Sequence, residues 1–243
     1  MRPPRPQVIS RKGFTLVELL AVIGIVGVLA GIVLAVIGNV RQRASMAVSR
    51  SNLGQLGHAT LLFAADNHMA LPVFKPGHPC YWVDALWKVA YPDRPAVPSL
   101  PPSPDTYANF VANWGGTIFY SPLTEDQPVA RSYGYNIYLN QFNESDQAAD
   151  PLIPLRTTHI TNPSRTVLIA DSSSVTLTPL TIKARNAGFV YCVFADAHVK
   201  PLRPPDPANP LPSSAENRIP YNKNATFWRG VSMSGAGAEL PVW

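Results

Sequence analysis

The sequence predicts an α+β fold: a long N-terminal helix whose second half packs on an antiparallel β-sheet. Three observations predict it. No proline falls between Gln7 and Leu71, although the chain has 26 of them. Proline interrupts helices, so this gap leaves room for one long helix ahead of a loop-rich body. Residues 14–38, FTLVELLAVIGIVGVLAGIVLAVIG, are apolar all round except for Glu18. From Ile118 onward, short runs rich in β-branched and aromatic residues alternate with turn formers.

The elements follow in order: a basic segment 1–13, an apolar helix 14–38, an amphipathic continuation 39–71 and a globular body 72–243. As a helix, residues 14–38 span roughly 37 Å, enough to cross a hydrocarbon core of about 30 Å. Gly24, Gly27, Gly31 and Gly38 weaken a soluble helix but suit close approach of helices in a membrane. The pattern then becomes one-sided. Met46, Val48, Leu53, Leu56, Thr60 and Phe63 recur at helical spacing, while Arg41, Arg43, Arg50 and Ser51 are expected to face water. The helix is expected to reach Asp66, with a turn from Asn67 and a stop at Pro72.

Within the body, residues 79–91 predict a short helix with Trp82, Leu86 and Val89 on one face. The proline-rich stretch 92–105 is a loop. TIFYSP (117–122), ARSYGYNIYLN (130–140), SRTVLIADS (164–172) and AGFVYCVFADAHVKPL (187–202) are extended runs. The last is either one long strand or a hairpin folded near Ala195–Ala197. The tail from Pro204 is expected to be irregular, with Trp228 and Trp243 either exposed for carbohydrate or partner contact or packed onto the body.

Charge narrows the function. The chain carries a formal +5, but Arg2, Arg5, Arg11 and Lys12 lie in a stretch without acids. Without residues 1–13, 16 basic groups face 15 acidic ones, a balance of +1. No basic stripe interleaved with aromatics is present, so no direct nucleic-acid partner is expected.

The string RKGFTLVELLAVIGIVGVLAG carries the most specific signal. An ordinary secretory signal has a shorter apolar core, with small residues after it. Here the small residue, Gly13, precedes a longer core. Gly13–Phe14–Thr15–Leu16–Val17–Glu18 resembles the N-terminal motif of the type IV prepilin and type II secretion pseudopilin family, without gap or substitution. The resemblance implies cleavage between Gly13 and Phe14 by a membrane-embedded prepilin peptidase, which also methylates the new amine of Phe14. Gly13 lets the backbone enter a tight site, and Arg11 and Lys12 hold the leader at the cytoplasmic face. Glu18 is implied to pair with the N-terminal amine of a neighbouring subunit. Unpaired, an acid in a membrane costs on the order of 2.5–3.5 kcal/mol on insertion scales.

The implied partners are the prepilin peptidase, further pilin or pseudopilin subunits, an inner-membrane assembly platform and membrane lipid. The implied location is a single inner-membrane pass with a periplasmic body, followed by a filament. Asn52–Pro72 and the segments YGYN, SRTVLIAD and FADAHV resemble a pseudopilin-like group whose hallmark is His, nine residues, then Asp-Gly. At the matching positions this chain has Asn186, Asp196 and Ala197, and Ser121–Pro122 stands where the group has Cys-Pro.

Cys80 and Cys192 are either a disulfide of an exported protein or two separate buried thiols. His68, His78 and Cys80 fit no standard zinc spacing, so no metal is expected there. Glu144, Asp146 and Asp150 form an acidic loop whose one candidate ligand is calcium; otherwise no cofactor is expected. Asp196 and His198 share a side of one extended run and Asp171 ends another, without a nucleophile signature, so no catalytic residue is assigned. The expectation is a non-enzymatic filament subunit. The competing readings are a membrane-tethered binding domain, for glycans for example, and a secreted hydrolase cut near Ala30 or Ala35.

Overall fold

The computed structural model describes residues 16–72, 81–94, 114–124, 132–139, 154–203, 219–220 and 225–231. The chain forms two compact units, Met1–Ala44 and Ser45–Trp243. Helix α1 runs Leu16–Asp66, so its last part belongs to the second unit. It ends where expected. Asn67 donates its side-chain amide to Phe63 O, and His68 and Met69 take positive φ values of 54° and 63° to close the turn.

In the second unit, α1 buries Ser49, Leu53, Leu56, Gly57, Ala59, Thr60 and Ala64. Val48, expected on this face, is 48% exposed. The buried stripe runs through Ser49 instead, because Ser49 meets hydroxyl partners in the body. Helix α2 (Tyr81–Ala90) turns Trp82, Val83, Leu86 and Trp87 into the same core and leaves Lys88 exposed.

Among the described residues, five strands form one sheet: β1 (Tyr133–Asn136), β2 (Val167–Asp171), β3 (Thr176–Leu177), β4 (Val190–Phe194) and β5 (Val199–Leu202). Their spatial order is β3-β1-β2-β4-β5. Three of the pairings are antiparallel, as expected, but β1 and β3 are parallel. The sheet is therefore mixed. After β2 the chain reverses within Ser172–Val175 and lays β3 on the far edge of β1. Gly134 makes room for that crossing: a Cβ there would lie 2.8 Å from Ser172 and from the carbonyl of Ser174.

The run 187–202 is a hairpin, not one strand. Phe194 N donates to His198 O, and Ala197 sits at φ 66° in the turn. TIFYSP, expected to be extended, is a series of turns. Its backbone N–H groups bond locally, Thr117 to Trp114 O and Tyr120 to Thr117 O. Phe119 is instead drawn into a cluster with Trp82, Trp87, Tyr91 and Trp114, with ring centroids 5.7–6.5 Å apart.

The sheet is buried on both faces. One core holds α1, α2, Tyr133, Tyr135, Leu168 and Val193; the other holds Val167, Cys192, Phe194, Phe227 and Trp228. A register shift between Val167 and Ile169 lets Leu168 and Ile169 both join the helix-side core. The second face is covered by helical turn α3 (Thr226–Arg229), in a tail expected to be irregular. Trp228 is fully buried and donates Nε1–H to Pro220 O at 2.7 Å, so of its two expected placements the structure shows packing onto the body. Asn136 ties the layers together, giving Nδ2–H to Val167 O and to Trp228 O.

Candidate functional site

The first part of α1 has one dominant property. Sixteen large apolar side chains from Leu16 to Val40 are each 47–79% exposed. Burying such a side chain is worth about 1.5–3 kcal/mol. Left in water, this surface forgoes stabilisation on the order of tens of kcal/mol, so a lipid phase or other helices must cover it. Among the described residues, this is the one helix long and apolar enough to cross a membrane.

Glu18 stands in the first turn of α1, exposed among Val17, Leu19 and Leu20. An acid there complements the positive end of the helix dipole. It is the one charged residue between Leu16 and Val40. Arg41 and Arg43 follow directly, both exposed, and mark the end of the apolar stretch. Arg11, Lys12, Gly13 and Phe14 lie outside the described residues.

The body brings together few of the other candidates. Cys192 is a free thiol, fully buried in β4, and burial raises its pKa well above the ordinary value; Asp171 adds to the rise. Cys80, His78, Glu144, Asp146, Asp150 and Trp243 lie outside the described residues. His68 is exposed at the end of α1. Asp196 and His198 occupy the β4–β5 turn, not a strand face. Their side chains pair, and the His198 ring stacks on Phe194 at 4.4 Å between centroids. Asp171 is not beside them: its carboxylate is buried under β4, bonded to Asn186. Among the described residues, no group of three or more His, Cys, Asp or Glu side chains is placed to hold a metal ion.

Two polar clusters escaped the sequence reading. Ser49, Ser121 and Tyr133 join α1 to the body, and Asp171 with Asn186 joins β2 to the segment before β4. A serine at the 49, 53, 56, 60 spacing of an apolar stripe is the signal that could have revealed the first. For the second, nothing in the sequence pairs Asn186 with Asp171.

Residues 10–34 match a family model described as the prokaryotic N-terminal methylation motif. The match spans the Gly13–Glu18 string and most of the apolar helix, so the chain carries the N-terminal motif of prepilin-type cleavage/methylation proteins. That motif supports a type IV pilin- or pseudopilin-like precursor, and the long helix with a mixed sheet is consistent with a pilin-like α+β fold. The motif is that of structural pilin-type proteins and not of an enzyme class. No curated protein and no solved structure matches the chain.

Proposed function

We propose that this protein is a structural subunit of a type IV pilus-like or type II secretion filament. The observation that carries the reading is an exposed apolar helix bearing a single carboxylate, Glu18, directly behind a prepilin-type processing string.

Residues 1–13 are the leader. A prepilin peptidase in the inner membrane cuts between Gly13 and Phe14 and methylates the new amine. Until assembly, lipid covers the helix, and the body lies on the periplasmic side. An assembly platform then moves the subunit into a bundle of identical or related helices. The apolar surface stays covered at both stages, so transfer costs little hydrophobic energy. Glu18 lies one helical turn from Phe14, and its carboxylate neutralises the amine of an adjoining subunit. Two buried charges are offset together, and the pairing fixes axial register.

The test is the amino terminus of the protein purified from a host with an active prepilin peptidase. Mass spectrometry should find N-methylated Phe14. A terminus at Met1 would reject the reading, and one near Ala30 or Ala35 would point to ordinary secretion.

A further inference from the structure

Asp171 ends β2 and is fully buried. Its Oδ2 accepts Asn186 Nδ2–H at 2.7 Å and Tyr191 N–H at 3.0 Å. Among the described residues its Oδ1 has no donor, and neither has the Oδ1 of Asn186, a residue only 1% exposed. Two bare acceptors thus sit on side chains already joined by one hydrogen bond. An ionised Asp171 would leave both unsatisfied in a dry interior, which is costly.

We propose that one proton on Asp171 Oδ1 satisfies both atoms, closing an acid–amide pair with Asn186 that acts as a pH-sensitive lock between β2 and the segment preceding β4. In that pair the amide N–H donates to Oδ2, and the acid O–H donates to the amide oxygen. The backbone around it already supports the arrangement. Lys183 N bonds to Asp171 O, and Asn186 forms a two-way bridge with Phe189 at the entrance to β4.

The surrounding groups decide which form wins. From β4, the Cys192 thiol is kept neutral by burial; from β1, the Tyr133 phenol is too, so neither offers a counter-charge. Arg185, beside Asn186, favours the carboxylate, but its Nη1 donates to Ser132 O at 2.7 Å. Burial outweighs it and raises the Asp171 carboxyl from 3.8 to about 7, against the Tyr191 N–H, Arg185 and Asn186.

The folded state therefore keeps a proton that the unfolded chain releases near pH 3.8. The stabilisation is complete below that value, and it is lost as pH rises towards about 7. Within the window, the folded-to-unfolded ratio falls about tenfold per pH unit from this group. Above it, the carboxylate faces the amide oxygen and the lock opens.

The experiment compares the full chain with Asp171→Asn in detergent micelles, following unfolding by tryptophan fluorescence from pH 5 to 7. The variant's amide supplies an N–H where the acid supplied O–H, at every pH. Relative to the variant, the native chain should lose about tenfold in folding equilibrium per pH unit. Parallel pH profiles would overturn the proposal. Should the variant fail to fold, the native chain labelled with ¹³C-aspartate decides by infrared spectroscopy. A protonated carboxylic-acid C=O band should persist at pH 6 and titrate away near 7; its absence at pH 6 would mean that a water or a cation holds the two oxygens instead.

Discussion

The hydroxyls of Ser49 and Tyr133 lie 3.0 Å apart and join α1 to the central strand pair of the sheet. Ser121 Oγ–H donates to Ser49 Oγ at 3.1 Å, and Tyr133 Oη–H also reaches Ser49 O at 3.3 Å. Burial, with Asp171 adding to it, pushes the Tyr133 phenol upward, so it stays a neutral donor. A polar cluster of this kind in a dry core is favourable only when its members are all satisfied.

Ser49→Ala should therefore destabilise the body by about 1–2 kcal/mol, since it strips partners from Ser121 and Tyr133 together. Tyr133→Phe should cost a similar amount. In a double-mutant cycle the two should couple by roughly 0.5–3 kcal/mol, because they remove one shared bond. Strict additivity in chemical denaturation would show that the hydroxyls act independently.

Gly57 and Gly54 make a sharper pair, since the same change should have opposite signs. A Cβ on Gly57 would lie 2.5 Å from Val193 Cγ2 and 3.3 Å from the Ala197 backbone. Among the described residues, a Cβ on Gly54 meets only Val199 Cγ2, at 3.8 Å. Alanine gains up to about 1 kcal/mol over glycine in a helix. At Gly54 that gain is realised, and Gly54→Ala should raise the melting temperature. At Gly57 overpacking costs about 1–3 kcal/mol and wins. Val193→Ala should recover part of the Gly57→Ala loss; no recovery would place the strain on the Ala197 turn.

What was legible in the sequence follows from how local each signal is. The bounds of α1 rest on periodicity and on Asn67 and Pro72, so they could be read along the chain. So could β2 and the extended run 187–202, though not the choice between one long strand and a hairpin. The processing string is a linear code, which needs no fold to be recognised. The rest depends on contacts distant in sequence. Strand β3 has two residues and exists only because Gly134 lets the 172–175 turn cross β1. TIFYSP has the composition of a strand, but Phe119 gains more from four aromatic neighbours than from strand pairing. For Trp228, in a proline-rich tail, exposure and packing onto the body read alike until a second sheet face needs covering.

Cys192 offers a test of how the body holds its thiol. It is fully buried, and desolvation disfavours the reactive thiolate. A thiol-alkylating reagent should leave it unmodified in the native protein at neutral pH and label it after denaturation without reductant. Labelling of both cysteines only after reduction would instead reveal a bond between Cys80 and Cys192.

Glu18 carries the most specific prediction for assembly. It is exposed in the first turn of α1, four positions from Phe14. In lipid, an acid near a helix end can reach the interface, so Glu18→Ala should not prevent insertion, and it should leave cleavage after Gly13 largely intact. In a helix bundle, the missing carboxylate leaves the amine of a neighbour without its counter-charge. Breaking such a pair costs about 3–5 kcal/mol per contact, enough to reduce incorporation by two orders of magnitude or more. The processed variant should accumulate in the membrane fraction while filaments, sheared and quantified by immunoblot, lose it. Glu18→Asp keeps the charge but shortens the reach, and should recover part of the incorporation. Normal filament incorporation of Glu18→Ala would sink the ion-pair role. A membrane-tethered domain that never polymerises would show no filament signal for either variant or for the native chain.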